Sequence, residues 1–91
     1  MIECDNTLLL NAIKKFGRDK QVLVAIEEMS ELQKELLKNI NRNCENLTHI
    51  EEELADVFIM IQQIIMIYGF NDEDVNKIIK EKQERLKGYM R

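Results

Sequence analysis

Ile50-Glu51-Glu52-Glu53-Leu54-Ala55-Asp56-Val57-Phe58-Ile59-Met60-Ile61 reads as one continuous helical pattern with an acid in an apolar place. With each residue turned by about 100°, Ile50, Leu54, Val57, Ile61, Ile64 and Tyr68 form the main apolar stripe. Glu51 and Glu52 point away from it, as solvated acids should. Glu53 does not: it falls between Val57 and Met60 in angle, with Asp56 at the edge of the sector. Ile59 and Met66 project from the far side. A helix apolar nearly all round is buried on both faces, so the second face is expected to meet another subunit.

The pattern runs from a Thr48-His49-Ile50-Glu51 capping box to about Tyr68 and stops at Gly69. An earlier helix follows Asp19 and reaches about Ile40, with Val22, Ala25, Ile26, Met29, Leu32, Leu36 and Ile40 along one side. Residues 41–47 read as a loop. A first helix starts after Asp5 or Asn6 as N-cap, carries Leu9, Ile13 and Phe16, and ends at Gly17. Asn71 or Asp72 caps a fourth, from about Glu73 to Lys87, with Val75, Ile78, Ile79 and Leu86 as its apolar positions. Short connections between helices of this length predict an all-α, antiparallel four-helix bundle-like domain spanning residues 1–91, completed by oligomerisation.

Composition agrees. The chain has 91 residues, 45% hydrophobic and only 5% aromatic, with three glycines and no proline, which is poor material for strands and their turns. The formal charge of −4 argues against a nucleic-acid polymer as partner, which would call for a dense basic face. A small phosphorylated substrate is compatible with it if a cation stands between carboxylates and phosphates. Cys4 and Cys44 lack metal or redox spacing and read as reduced thiols. No signal-peptide pattern opens the chain, and runs such as residues 57–61 are too short to span a bilayer, so a soluble, cytoplasmic protein without a membrane partner is expected.

Residues three apart on a helix are neighbours. Glu28 with Glu31 on the second helix, and Glu53 with Asp56 on the third, therefore form two carboxylate pairs. Glu28 borders the apolar side of its helix, whereas Glu27, Glu35, Glu51 and Glu52 read as solvated faces. Ionised carboxylates taken into a helix interface need protonation, a Lys or Arg partner, or a bound cation. Two helices each presenting an acid pair make the cation the most economical answer. All-oxygen ligands select a hard ion, Mg²⁺ or Mn²⁺ in its place. A di-iron bundle would need Glu-x-x-His on two helices, and His49 is the single histidine, with no Glu three before it.

On the fourth helix, the apolar stripe extended from Val75 reaches position 82, where Lys82 stands, with Arg85 beside the same stripe. An inward cation there neutralises phosphate oxygens that a metal does not reach. The same lysine equally fits a snorkelling side chain or a partner for Glu53.

These residues resemble a known family. Glu28-x-x-Glu31 followed by Glu53-x-x-Asp56 is similar to the ExxE…ExxD signature of MazG-like nucleotide pyrophosphatases, a group related to the all-α dimeric dUTPases, the phosphoribosyl-ATP pyrophosphohydrolases and the dCTP pyrophosphatases. Phe16-Gly17 with Gln21, Ala25-Ile26-Glu27-Glu28 and Glu31-Leu32 resemble the family's first half. Glu52-Glu53-Leu54-Ala55-Asp56-Val57 resembles its third helix, and Lys82-x-x-Arg85-Leu86 its basic last helix. Many relatives carry Asn just before that arginine, where this chain has Glu84; Lys80 is a candidate replacement donor. The resemblance implies Mg²⁺-dependent hydrolysis of a nucleoside triphosphate between the α and β phosphates, giving a monophosphate and pyrophosphate. It assigns the metal and the catalysis to Glu28, Glu31, Glu53 and Asp56, the phosphates to Lys82 and Arg85, and a base and sugar pocket to Phe16 and Gln21. It also implies a homodimer or homotetramer. A non-catalytic helical dimerisation module and a phosphoribosyl-ATP-type hydrolase are the alternatives.

Overall fold

The computed structural model describes residues 3–91; the expected domain begins at residue 1, and residues 1 and 2 lie outside the described residues. The chain is all-α, with helices α1 (Asn6–Phe16), α2 (Arg18–Asn41), α3 (Leu47–Tyr68) and α4 (Asp72–Tyr89). Asp5 caps α1, its carboxylate accepting from the Leu8 amide at 3.1 Å. Gly17 ends α1 and starts α2 at once, at φ 92°, ψ 150°. A Cβ there would meet nothing within 4 Å, so the backbone conformation, not crowding, favours glycine. Gly69 closes α3 in the left-handed region at φ 69°, with the Phe70 amide reaching back to the Ile65 carbonyl at 3.0 Å. Asn71 caps α4, accepting from the Glu73 amide at 2.7 Å.

One cap differs from the sequence pattern. α3 begins at Leu47, so Thr48 already lies in its first turn and the expected capping box does not form; Asn46 is the N-cap residue. The buried Asn46 amide is spent elsewhere, donating to the Glu35 carbonyl at 2.9 Å and to Glu35 Oε2 at 2.6 Å while accepting from Asn39 at 3.3 Å. That clamp ties the start of α3 to the last turns of α2. It also corrects the reading of Glu35 as a solvated acid, since its side chain is only 17% exposed. Asn46, and less so Lys38, holds the Glu35 carboxyl below its ordinary value against a smaller opposing effect of burial.

α2 and α3 form the main packed pair, and α1 lies against both. The pair is antiparallel: Gln21 near the start of α2 meets Gln63 near the end of α3, while Glu35 and Asn39 meet Asn46 at the opposite end. Among the described residues, Leu9, Ala25, Val57 and Met60 are the buried apolar side chains. On α3 the buried side is therefore centred on Val57, Met60 and Gln63, and the expected main stripe is only partly covered, with Leu54 42% and Tyr68 50% exposed.

After Gly69 the chain turns by 119° into α4, which makes no extended contact with the other helices and buries no residue. Between α4 and α3 lies a groove of about 620 Å³, lined by Phe58, Ile61, Ile65, Val75 and Ile79 among others. The exposed surface is 7574 Å², against about 5,500 Å² for a compact monomer of this mass. The radius of gyration is 15.7 Å, against about 12 Å for a compact domain of this length. No single helix among the described residues is long and apolar enough to cross a membrane.

Candidate metal centre

The α2–α3 seam explains how acids come together in the middle of a helix pair. Along α2, Gln21, Ala25 and Glu28 follow one another on the buried side; along α3, Gln63, Met60, Val57 and Glu53 run the other way. Ala25, 1% exposed, has no side chain large enough to hold the two backbones apart. The antiparallel register then brings Glu28 opposite Asp56 and Glu53. One carboxylate oxygen from each of these residues lies within 4.8 Å of the others. Glu28 and Glu53 are half-buried and Asp56 opens to solvent.

The electrostatics are unfavourable as they stand. The Glu28 carboxyl is raised above its ordinary value, first by loss of hydration, then by the charges of Asp56 and Glu53, with a hydrogen bond to Asp56 and the Glu31 charge adding to it. No lysine or arginine among the described residues forms an ion pair with Glu28, Glu53 or Asp56. Glu53 Oε2 is buried with no hydrogen-bond partner. A buried, unpaired carboxylate oxygen costs several kcal/mol unless something cationic meets it, on the order of 1–3 kcal/mol for the missing bond alone. The donor set is three carboxylates, with no imidazole or thiolate, and it opens to solvent on the Asp56 side. These features fit a hard divalent cation that also keeps positions free for other oxygen ligands.

Of the four acids singled out by sequence, three converge. Glu31 lies one turn beyond Glu28, half-exposed, and pairs with Lys34 at 3.3 Å. Lys82 and Arg85 are exposed on α4 and line a shallow hollow with Leu86 and Tyr89. Neither pairs with Glu53, so the ion-pair alternative for Lys82 is not realised within the chain. Phe16 is exposed at the end of α1, with the Lys15 ammonium 5.8 Å from its ring centre. Gln21 is buried and donates to Gln63 Oε1 at 2.8 Å. Gln63 itself was missed by the sequence reading. The signal was available: Gln63 follows Asp56 by the same seven residues that separate Gln21 from Glu28.

The chain is thus an all-helical protein with three carboxylates gathered between two antiparallel helices. The family model of the MazG nucleotide pyrophosphohydrolase domain matches residues 16–88, and the chain belongs to that family. No curated protein and no solved structure gives a match. Membership points to nucleotide pyrophosphohydrolase activity, and the matched span takes in α2, α3 and nearly all of α4.

Proposed function

We propose that the protein hydrolyses a nucleoside triphosphate at the α–β phosphoanhydride, releasing a nucleoside monophosphate and pyrophosphate in a Mg²⁺-dependent reaction. The observation that carries this reading is the convergence of Glu28, Glu53 and Asp56 around the unpartnered Glu53 Oε2. These residues would hold Mg²⁺, or Mn²⁺ in its place, and Glu31 would join them by giving up Lys34. A cation bound there supplies charge neutralisation to phosphate oxygens and acidifies bound water. The acids fix where the triphosphate docks and orient the attacking water, which is most of what phosphoryl chemistry asks of a protein.

Lys82 and Arg85 would neutralise the remaining phosphate charge. Within one chain α4 is turned away from the seam, so this role asks for a neighbouring copy or a repositioned α4. The open surface favours a homodimer or homotetramer: the excess over a compact monomer is about 2,000 Å² per chain, in the range that obligate interfaces bury. The same exposed apolar surface is what the non-catalytic dimerisation reading rests on, and that reading leaves the acid cluster without a purpose.

The test is incubation with a panel of ordinary, deoxy and oxidised nucleoside triphosphates, with and without Mg²⁺, quantifying monophosphate and pyrophosphate. Pyrophosphate and monophosphate in equal amounts, only with metal, support the reading. Release of inorganic phosphate alone, or no turnover on any member, overturns it.

A further inference from the structure

The buried Gln21–Gln63 hydrogen bond lies on the same seam as the acids, and its place there suggests a purpose beyond stability. Gln21 precedes Glu28 by seven residues on α2, and Gln63 follows Asp56 by seven on α3. At about 1.5 Å per residue, the amide pair and the carboxylate cluster are rungs of one register, about 10.5 Å apart. Among the described residues it is the one hydrogen bond between uncharged side chains joining positions within both helices, the Glu28–Asp56 contact lying inside the acid cluster itself; the Asn46 clamp acts at the entry to α3. Gln21 is 7% exposed and Gln63 3%.

Two buried glutamines contribute little net stability compared with two well-packed apolar side chains. What a buried polar pair does well is distinguish one helix register from its neighbours. Here such a choice matters. In the right register without metal, Glu28 faces the charges of Asp56 and Glu53. A slip of α3 by two turns would set Glu28 opposite Gln63, Asp56 opposite Glu35 and Glu53 opposite Lys38, dispersing the three acids while carrying Gln21 past the end of α3. The repulsion at Glu28 thus gives the metal-free chain no reason to keep the competent alignment, and the amide pair supplies one.

We infer that Gln21 and Gln63 are positioning residues: their hydrogen bond holds α2 and α3 in the register that places Glu28 against Glu53 and Asp56 before the cation arrives. The inference rests on the metal-site reading above. Its consequence is quantitative, because apparent affinity falls by the fraction of molecules in the competent arrangement. If loss of the pair leaves about one molecule in ten in register, the metal binds about ten-fold more weakly.

The experiment compares the full chain with the double variant Gln21→Met/Gln63→Met, which keeps the volume and leaves no amide unpaired. Thermal melting in chelator reports stability, and calorimetric Mn²⁺ titration reports affinity. The pin predicts a double variant at least as stable as the parent in chelator, with Mn²⁺ bound about ten-fold more weakly. A second variant, Gln63→Glu, keeps an acceptor for Gln21 and is expected to bind Mn²⁺ within a few-fold of the parent; Gln63→Leu is expected to lose affinity as the double variant does. Should the double variant fail to fold, the contrast between Gln63→Glu and Gln63→Leu decides. Parental affinity in the double variant, or equal affinity in Gln63→Glu and Gln63→Leu, overturns the pin and leaves the metal site standing. No Mn²⁺ binding by the parent overturns the metal site, and the pin with it.

Discussion

Neutralising Glu28 should make the metal-free protein more stable. In the folded chain its carboxyl sits within 4.8 Å of carboxylate oxygens from Glu53 and Asp56. Two unit charges at that separation repel by about 0.9 kcal/mol in a water-like dielectric. Two such pairs give about 2 kcal/mol, and salt with solvent exposure reduces this to roughly 1 kcal/mol. In a chain of this length, 1 kcal/mol corresponds to about 4–8 °C in melting temperature. The pH dependence follows from the raised folded-state pKa. The penalty is absent below the ordinary value of 4.5, where both states are protonated. It grows as pH rises toward the folded-state value and is complete above it. Glu28→Gln in chelator at pH 7, at fixed protein concentration, is therefore expected to melt about 4–8 °C higher than the parent. The gap should close below pH 4.5 and shrink in high salt, and Glu27→Gln on the solvent side should leave the midpoint in place. Saturating Mg²⁺ should reverse the order, because the parent gains binding free energy and the variant does not. A Glu28→Gln protein that melts at or below the parent in chelator at pH 7 would refute the electrostatic account of the seam.

Glu53→Gln and Asp56→Asn should lower Mg²⁺-dependent turnover by more than about 100-fold, a larger loss than outer-shell changes give, with the helical circular dichroism spectrum unchanged. Asn46→Ala removes the clamp on Glu35 and should lower the melting temperature by about 5 °C. It should also weaken an acid-side effect: because Glu35 has a lowered pKa in the fold, its stabilisation is present above the ordinary value and lost as pH falls through the folded one. That pH-dependent loss should be smaller in Asn46→Ala when melts are compared across pH. Sedimentation equilibrium should give at least twice the chain mass, and a charge introduced on the uncovered α3 face by Ile61→Glu should shift the population toward monomer.

Much of the fold was legible because its signals are local. Gly17, Gly69 and Asn71 mark helix ends through backbone chemistry that tertiary packing does not override, and the helices begin and end at them. The inward acid was legible for the same reason, since the angular position of Glu53 between Val57 and Met60 is a property of one helix. What sequence did not reveal depends on two segments meeting. Thr48 and Glu51 satisfy the capping pattern, yet Asn46 sits just before them and is drawn to Glu35 across the α2–α3 turn. Glu35 reads as solvated on its own helix and is covered only because α3 starts beside it. The Gln21 amide donates to Gln63, a partner visible only once the antiparallel register is known. The direction of α4 was equally out of reach: the short link after Gly69 permits a turn back along the seam or the observed departure, and apolar residues on α4 do not choose between them.

Anomalous diffraction from crystals of the protein soaked in Mn²⁺ addresses the acid centre without relying on turnover. A peak between Glu28, Glu53 and Asp56, within coordination distance of Glu53 Oε2, is the predicted result. Density at other carboxylates alone, with this seam empty at saturating Mn²⁺, would contradict it.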